Sequence, residues 1–290
     1  MDIARKQVTS RILIVGNSGF LAKRLFGALT KDFRIFHTQR FDENRELYLD
    51  LLAKPRKWRV PFDEFDYVIQ TAGVGGEIEC KLNPINSLKV NVESNAAIAK
   101  ALVRAEKNLI FVSSSYVYDF RPQNSNDKSA FPYTYQKMLA EKHLSSILQN
   151  LTIVRPGRVL GVESFELIEG VKTLQNRRTL LKMTNTRLLP IHIDYFTKLI
   201  VQIIKSNTLG HVNFSSDRAI TPYEFWKLLA YSLGLDSNLV LKSEPNSRDR
   251  ISDDFIRESY FNLQQLSLFP PPIEDTVKCL ADEFLRQITF

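Results

Sequence analysis

The sequence of 290 residues predicts an α/β fold: a doubly wound parallel sheet followed by a smaller C-terminal α/β part. Short aliphatic runs alternate with helical segments through the first half of the chain, which is typical of parallel strands joined by crossover helices. The first run, 12–15, ends in a glycine turn that leads into a helix. Ligands of such sheets bind at the carboxyl ends of the strands, so we expect the functional site there.

The glycine turn follows the run Ile-Leu-Ile-Val directly and has the spacing Gly-x-x-Gly-x-x-Ala. A strand, a tight turn and a helix N-terminus cradle a diphosphate, because backbone N–H groups and the helix dipole favour an anion there. Gly16 permits the turn, Gly19 lets the backbone approach a phosphate, and Ala22 lets the helix pack close to the strand. The pattern predicts a dinucleotide site whose turn residues are Gly16, Asn17, Ser18, Gly19, Phe20 and Leu21.

The remaining elements follow from hydrophobic patterns and from turn residues. Further strands of the sheet are predicted at 33–38, 46–51, 66–73, 108–112 and 151–154, the last of them broken by Pro156 and Gly157. Long helices are predicted at 91–102 and 133–148, separated from each other by the fifth strand and by a Pro-, Asn- and Ser-rich loop at 121–132. Beyond residue 161 the pattern predicts a strand at 211–214, a helix capped by Thr221-Pro222, and a last helix after three prolines at 270–272.

The end of the second predicted strand indicates which dinucleotide binds. It carries Thr38-Gln39-Arg40, and no acidic residue comes before Asp42. Proteins that bind NAD usually offer a carboxylate to the adenosine ribose at this point. The guanidinium of Arg40 instead matches a 2′-phosphate, although a solvated surface arginine is the alternative interpretation. The sequence therefore favours NADP and leaves NAD open.

Two further strand ends complete the predicted cofactor site. Asp50 and Leu51 are at the carboxyl end of the third predicted strand, where the adenine ring would lie. The fourth predicted strand ends in the small residues Ala72 and Gly73, which suit close approach of a ligand.

Composition limits the kinds of partner. Hydrophobic residues make up 44% of the chain and charged residues 24%, as in ordinary globular proteins. No apolar run approaches the roughly 20 residues that cross a bilayer, and the first residues lack the apolar core of a secretory signal. A net charge of +7 suits a small anionic ligand, and no basic-aromatic array typical of nucleic-acid binding is present. Cys80 and Cys279 lack metal-ligand spacing. We expect a cytoplasmic protein without metal, membrane or nucleic-acid partners.

Tyr133 and Lys137 are the candidate proton-transfer pair. They are four residues apart and share one face of a predicted helix. A free tyrosine has a pKa near 10 and is a poor acid at pH 7, but a nearby ammonium lowers that pKa. Ser114, at the end of the preceding strand, would hydrogen-bond a substrate carbonyl oxygen while the tyrosine protonates it. The alternative is two exposed residues on one helix face. A second pair, at 223 and 227, follows no such strand and indicates ordinary helix surface.

These motifs, in this order, resemble the extended short-chain dehydrogenases/reductases that act on nucleotide sugars. The resemblance runs from about residue 11 to residue 275 and is carried by 16–22, 50–51, 91–92, 113–118, 133–137 with Glu141, 155–161 and 191–194. It implies that Ser114, Tyr133 and Lys137 form the catalytic group, with the tyrosine and lysine also contacting the cofactor. It further implies that Asn91 supports the site and that Pro156 backs the nicotinamide.

The resemblance also implies a division of the chain. Residues 1–161 would form a Rossmann-like NAD(P)-binding domain, to which later segments return, and 162–290 would mainly bind substrate. Basic residues in the latter part would face the diphosphate of a nucleotide sugar, among them Arg178, Arg187, Arg248 and Arg250. Two positions depart from the family pattern: Gln70 replaces a common His and Gly73 a common Ala. A homodimer formed through two long helices is common in the family.

The stretch after the fifth strand indicates the reaction. Ser115-Tyr116 stand where the family's 4,6-dehydratases use Asp-Glu, which argues against dehydration. The run 113–119 is closer to reductases of 4-keto-6-deoxy sugars, which release their cofactor at each turnover and often use NADPH. The resemblance thus implies an NAD(P)H-dependent reductase of a keto group on a nucleotide-activated sugar. An NAD-dependent nucleotide-sugar epimerase and a non-catalytic dinucleotide-binding regulatory protein remain the alternatives.

Overall fold

A computed structural model describes residues 9–118, 120–121, 125–243 and 252–288. Within them the strands are β1 (Arg11–Val15), β2 (Arg34–His37), β3 (Tyr67–Gln70), β4 (Asn108–Val112), β5 (Leu151–Pro156), β6 (Arg158–Leu160), β7 (Leu180–Met183), β8 (Pro190–His192), β9 (Gly210–Phe214) and β10 (Val240–Ser243). The helices are α1 (Phe20–Leu29), α2 (Glu77–Leu82), α3 (Pro84–Leu88), α4 (Ser94–Ala105), α5 (Ser125–Ala130), α6 (Pro132–Ile147), α7 (Phe165–Gln175), α8 (Ile193–Ser206), α9 (Pro222–Ser232), α10 (Asp253–Gln265) and α11 (Ile273–Ile288).

Six of these strands form one parallel sheet in the order β2-β1-β3-β4-β5-β9. Strand β1 pairs with β2 on one side and with β3 on the other, so the order of the strands reverses at β1. The side chains of β1 and β3 are buried on both faces, as in a parallel sheet covered by helices. The predicted doubly wound sheet is confirmed, and its topological switch point lies at the carboxyl ends of β1 and β3.

Several predicted elements differ in detail. The strand predicted at 46–51 is wrong: Tyr48 makes only single bridges to Gln39 and Arg59, because Leu47 has a φ of 58° that interrupts an extended strand. The predicted loop at 121–132 contains α5. Strand β5 is not broken at Pro156 but includes it, since proline tolerates an extended backbone. The helix predicted from residue 91 starts with a π-helical turn, Lys89–Glu93, which continues into α4.

The chain forms two compact units. The first comprises Met1–Ser113, Arg121–Ile153 and Asn207–Gly210. Its core packs buried side chains of the sheet against those of α4 and α6, among them Leu13, Val68, Phe111, Ile98 and Leu144. Burial of such residues is the main stabilising contribution to this unit.

The second unit comprises Ser114–Phe120, Val154–Ser206 and His211–Phe290. It contains two small parallel sheets, β7 with β10 and β6 with β8. Its core includes Trp226, Ile220 and Leu280. The predicted cap of α9 is confirmed, since Thr221 and Glu224 form a reciprocal capping box. No helix in the described ranges combines the length and the apolar content that a membrane crossing needs.

Buried His192, at the end of β8, lies between two helices of the second unit. The Asp194 N–H donates to His192 Nδ1 at 3.3 Å, and the other ring nitrogen, Nε2, lies near α11. That nitrogen lies 3.4 Å from Glu283 Oε2 on α11. The imidazole of His192 is thus buried between the first residues of α8 and a carboxylate of α11.

Candidate functional site

A cavity of 410 Å³ lies at the carboxyl ends of β1 and β3, within the first unit. Eleven of the residues predicted to bind a cofactor line it: Gly16, Asn17, Ser18, Gly19, Phe20, Leu21, Arg40, Asp50, Leu51, Ala72 and Gly73. The remaining lining residues include Thr38, Thr71, Asn86 and Val90. These eleven residues face one space, although they come from four separate stretches of the chain.

The glycine turn is held from both sides by threonine side chains. Gly16 has a φ of +111°, and its N–H donates to Thr38 Oγ1 at 3.0 Å. On the other side, Thr71 Oγ1 donates to the Val15 carbonyl oxygen at 3.0 Å. Thr38 and Thr71 follow the two strands that flank β1, and the sequence analysis did not assign them a role in the turn. Their position directly after those strands was the available signal.

The N-terminus of α1 opens to the cavity without a cap. Gly19 is the N-cap residue and provides no side-chain acceptor, and the first turn holds no acidic residue. A Cβ built on Gly19 meets no protein atom within 4 Å, so the space beside this residue is open. Free N–H groups and a positive dipole end beside an open cavity fit a diphosphate. The residues present thus fit a dinucleotide.

The two glycines allow a matched test of this cradle. We expect Gly16→Ala to destabilise the fold by about 1–3 kcal/mol, because alanine is strained at a φ of +111°. Gly19→Ala, at a φ of −70°, should cost at most about 1 kcal/mol and should instead weaken dinucleotide binding. Urea unfolding and a fluorescence titration with NADPH measure the two effects. Equal stability of the two variants would contradict the role of Gly16 in the turn.

Arg40 lines the cavity just after β2 and is exposed. Its guanidinium lies 4.8 Å from the ring centroid of Phe41, and within the described part of the chain it has no carboxylate partner. Asp42, the nearest acidic residue that follows β2, pairs with Arg45 at 3.3 Å. The lining after β2 therefore offers a cation without a carboxylate partner, as the sequence predicts.

Tyr133 and Lys137 do not line this cavity but lie on one face of α6 in the same unit. Lys137 Nζ is 5.9 Å from the centroid of the tyrosine ring. The ammonium donates to the Val112 carbonyl oxygen at 2.8 Å and lies 4.8 Å from the centroid of Phe111. Burial lowers the pKa of Lys137 to about 8, and the carboxylate of Glu141 opposes this shift. The lysine is therefore mainly charged at pH 7.

The second Tyr-Lys pair has a different environment. Lys227 Nζ lies 6.0 Å from the centroid of Tyr223 and donates to the Ser237 carbonyl oxygen at 3.1 Å. This hydrogen bond connects α9 to the turn that precedes β10. Tyr223 and Lys227 both belong to the second unit.

Asn91 holds the wall of the cavity from behind. Its Oδ1 accepts from the Val74 N–H at 2.9 Å, and its Nδ2 donates to the Val74 carbonyl at 3.0 Å and to Gln136 Oε1 at 2.8 Å. A Cβ at Gly73 would lie 3.0 Å from Asn91 Oδ1, so a side chain at this position would press on the asparagine. Asn91 does not line the cavity, and its contact with the lining is through the backbone of Val74.

Four predicted positions belong to the second unit, and one of them, Arg178, is an exposed residue that precedes β7. Ser114 is buried, and its Oγ accepts from the Tyr116 N–H at 3.3 Å. Pro156 ends β5. Arg187 pairs with Asp253 at 2.7 Å, while Arg248 and Arg250 lie outside the described residues.

Ser113, which directly precedes the predicted catalytic Ser114, belongs to the first unit and has a different partner. Its hydroxyl donates to the buried Glu141 carboxylate. That carboxylate also acts on the ammonium of Lys137. Glu141 therefore has a defined electrostatic role that the sequence analysis did not identify.

A profile of the family described as "NAD dependent epimerase/dehydratase family" matches residues 12–183, more than half of the chain. The chain belongs to the NAD dependent epimerase/dehydratase family. The match includes the glycine turn, the cavity lining and the Tyr-Lys pair of α6. It confirms the resemblance to the extended short-chain dehydrogenases/reductases.

Solved structures show the same fold. The dTDP-4-dehydrorhamnose reductase from Bacillus anthracis, in complex with NADP, has a TM-score of 0.78 at 16% identity and covers 95% of this chain and 98% of its own. The UDP-N-acetylglucosamine 4-epimerase from Methanobrevibacter ruminantium has a TM-score of 0.73 at 18% identity, covering 96% and 99%. The NAD-dependent NDP-hexosamine 5,6-dehydratase TunA has a TM-score of 0.72 at 18% identity, covering 96% and 98%.

These neighbours confirm the Rossmann-like fold over nearly the whole chain. They carry out three different reactions on nucleotide sugars, so the reaction of this family member has to be inferred from its own residues. The predicted domain roles, site residues and homodimer stay predictions.

Proposed function

We propose that this epimerase/dehydratase family member is an NAD(P)H-dependent reductase of a keto group on a nucleotide-activated sugar, with NADPH as the favoured cofactor. The observation that carries the proposal is Arg40, an exposed guanidinium that lines the cavity without a carboxylate partner among the described residues. Guanidinium matches the geometry of a 2′-phosphate. A reductase exchanges its cofactor at every turnover, which an exposed contact permits, whereas an epimerase returns the hydride to its substrate and needs no exchange.

Different residues of the cavity would bind different parts of the cofactor. The glycine turn and the N-terminus of α1 would hold the diphosphate. Arg40 would hold the 2′-phosphate, and Asp50 with Leu51 would lie beside the adenine. When bound, the cofactor supplies the hydride that reduces the keto carbon.

The proposed proton transfer uses three side chains. The Tyr133 hydroxyl donates its proton to the oxygen of the keto group as that oxygen gains negative charge. The ammonium of Lys137, charged at pH 7, would favour the phenolate that remains and would hold the nicotinamide ribose of a bound cofactor. The Ser114 hydroxyl donates a hydrogen bond to the same substrate oxygen and stabilises its developing charge.

The first test uses purified protein. Bound nucleotide is released and identified, NADPH and NADH are titrated by fluorescence, and NADPH oxidation is followed with a 4-keto-6-deoxy nucleotide sugar. We expect reversible NADPH binding and stoichiometric formation of the hydroxyl sugar. Tightly bound NAD with interconversion of sugar epimers would identify an epimerase instead. Absence of binding of either dinucleotide would refute both enzyme functions.

Arg40→Asp tests the choice of cofactor. We expect the preference for NADPH over NADH to fall by about 10–100-fold, because a charge-assisted hydrogen bond worth about 1.5–3 kcal/mol is replaced by repulsion of the 2′-phosphate. Dissociation constants for both cofactors measure it. Arg56 is exposed and does not line the cavity, so Arg56→Asp is the matched control. It should leave the preference for NADPH over NADH unchanged. An unchanged ratio in Arg40→Asp would show that Arg40 only faces solvent.

A further inference from the structure

The helix that carries Tyr133 and Lys137 begins without a cap from its own sequence. Phe131, which precedes α6, offers no side-chain acceptor, and Pro132 has no backbone N–H. The N–H of Tyr135 donates to the Phe131 carbonyl oxygen at 2.9 Å. The backbone N–H groups of Tyr133 and Thr134 therefore depend on an acceptor from elsewhere in the fold.

Glu77, the first residue of α2, supplies that acceptor from 56 residues away. Its Oε2 accepts from the Tyr133 N–H at 2.8 Å, and its Oε1 accepts from the Thr134 N–H at 3.1 Å and from the Thr134 hydroxyl at 2.6 Å. All three donors meet one carboxylate at the positive end of a helix dipole, where an anion is favoured. An amide at this position would offer one acceptor and would turn its own donor toward an N–H group.

The segment that ends in Glu77 also forms part of the cavity wall. Gly73 and Val74 line the cavity, and Asn91 holds Val74 through both of its backbone groups. Asn91 in turn donates to Gln136 on α6, and the Gln136 amide donates to Ser87 Oγ at 2.9 Å. The short segment 73–77 thus contacts the cavity at one end and the backbone of Tyr133 at the other.

We propose that Glu77 is a positioning residue for Tyr133: its carboxylate fixes the first turn of α6 and thereby places the tyrosine relative to the wall of the cofactor cavity. The inference rests on the proposed acid role of Tyr133. Glu77 itself donates no proton to substrate and acts only through the backbone of α6.

The direct test observes Tyr133 without any substrate. Protein labelled with [13Cζ]tyrosine gives resonances from ten tyrosines, and the one lost in Tyr133→Phe is assigned to Tyr133. We expect this resonance to shift and broaden in Glu77→Gln, and to a smaller extent in Thr134→Val, which removes one hydrogen bond without a change of charge. Glu79 has an exposed carboxylate on the same helix α2, so Glu79→Gln is the matched control and should leave the Tyr133 resonance unchanged. An unchanged Tyr133 resonance in folded Glu77→Gln would overturn the proposal.

The second test separates positioning from stability. We expect Glu77→Gln to lower kcat with a keto-sugar nucleotide by about 10–100-fold, since small displacements of a reacting group have effects of this size. The KM for NADPH should stay within about two-fold, because the cavity lining is intact. A lower melting temperature with normal kcat would show that Glu77 is only a structural cap and would overturn the proposal. If the wild type turns over no nucleotide sugar, the proposed function fails, and the resonance of Tyr133 still decides the role of Glu77.

Discussion

Tyr133→Phe should lower the turnover of a keto-sugar nucleotide by about 10²–10⁴-fold and leave NADPH binding intact, because it removes only the hydroxyl that protonates the substrate oxygen. NADPH oxidation at saturating substrate measures the first effect, and a fluorescence titration measures the second. The backbone N–H that Glu77 holds is unchanged in this variant, so the helix start is preserved.

Tyr135→Phe is the matched control for this substitution. Tyr135 lies two residues further along α6, on a different side of the helix, and its ring faces Lys128 at 5.3 Å. We expect its variant to turn over normally. Near-normal turnover of Tyr133→Phe would remove Tyr133 from the mechanism, whereas equal losses in both variants would indicate damage to α6.

Lys137→Met should lower turnover by a similar factor and should also change how stability depends on pH. Burial lowers the pKa of Lys137 from 10.5 to about 8, so below pH 8 the folded protein carries the full cost of a buried ammonium. Between pH 8 and 10.5 the unfolded chain binds this proton and the folded chain does not, so the stability of the wild type rises with pH in this window. The rise in the free energy of unfolding across this window corresponds to about 3 kcal/mol.

Urea unfolding at several pH values tests this linkage. The free energy of unfolding of the wild type should rise relative to that of Lys137→Met as pH increases from 8 to 10.5. Lys142→Met, an exposed lysine on the same helix, should show no such change relative to the wild type. If the free energies of unfolding of the wild type and of Lys137→Met differ by a constant amount across this window, the lowered pKa of a buried Lys137 is contradicted.

The cavity lining was predictable because its signals are local. Residues 16–21 are consecutive, and their glycine spacing, together with the preceding aliphatic run, determines a turn between a strand and a helix. Arg40, Asp50 and Ala72 were found by their place at the carboxyl ends of predicted strands. This reasoning held even for the false strand at 46–51, since Asp50 and Leu51 line the cavity although no regular strand precedes them.

The residues that the sequence analysis missed act across long separations in the chain. Thr38 holds a glycine 22 residues away, and Glu77 holds a helix start 56 residues away. Neither residue belongs to a recognisable local pattern, because a threonine after a strand or a glutamate at the start of a short helix is common. Glu141 was quoted only as part of a motif. It lies four residues from Lys137 on the same helix, but the burial of the ammonium and the hydrogen bond from Ser113 to Glu141 depend on the packing of α6 beside β4.

The sequence by itself determined the α/β class, the glycine turn, the cation after β2 and the Tyr-Lys spacing on one helix face, since each depends on neighbours in the chain. The tertiary structure alone decided that four separate stretches line one cavity and that the lysine is buried. It also decided that the uncapped first turn of α6 meets the carboxylate of Glu77. The physical reason is that burial and hydrogen-bond partners depend on which distant segments the fold brings together, and backbone groups left without partners there cost free energy that local spacing does not reveal.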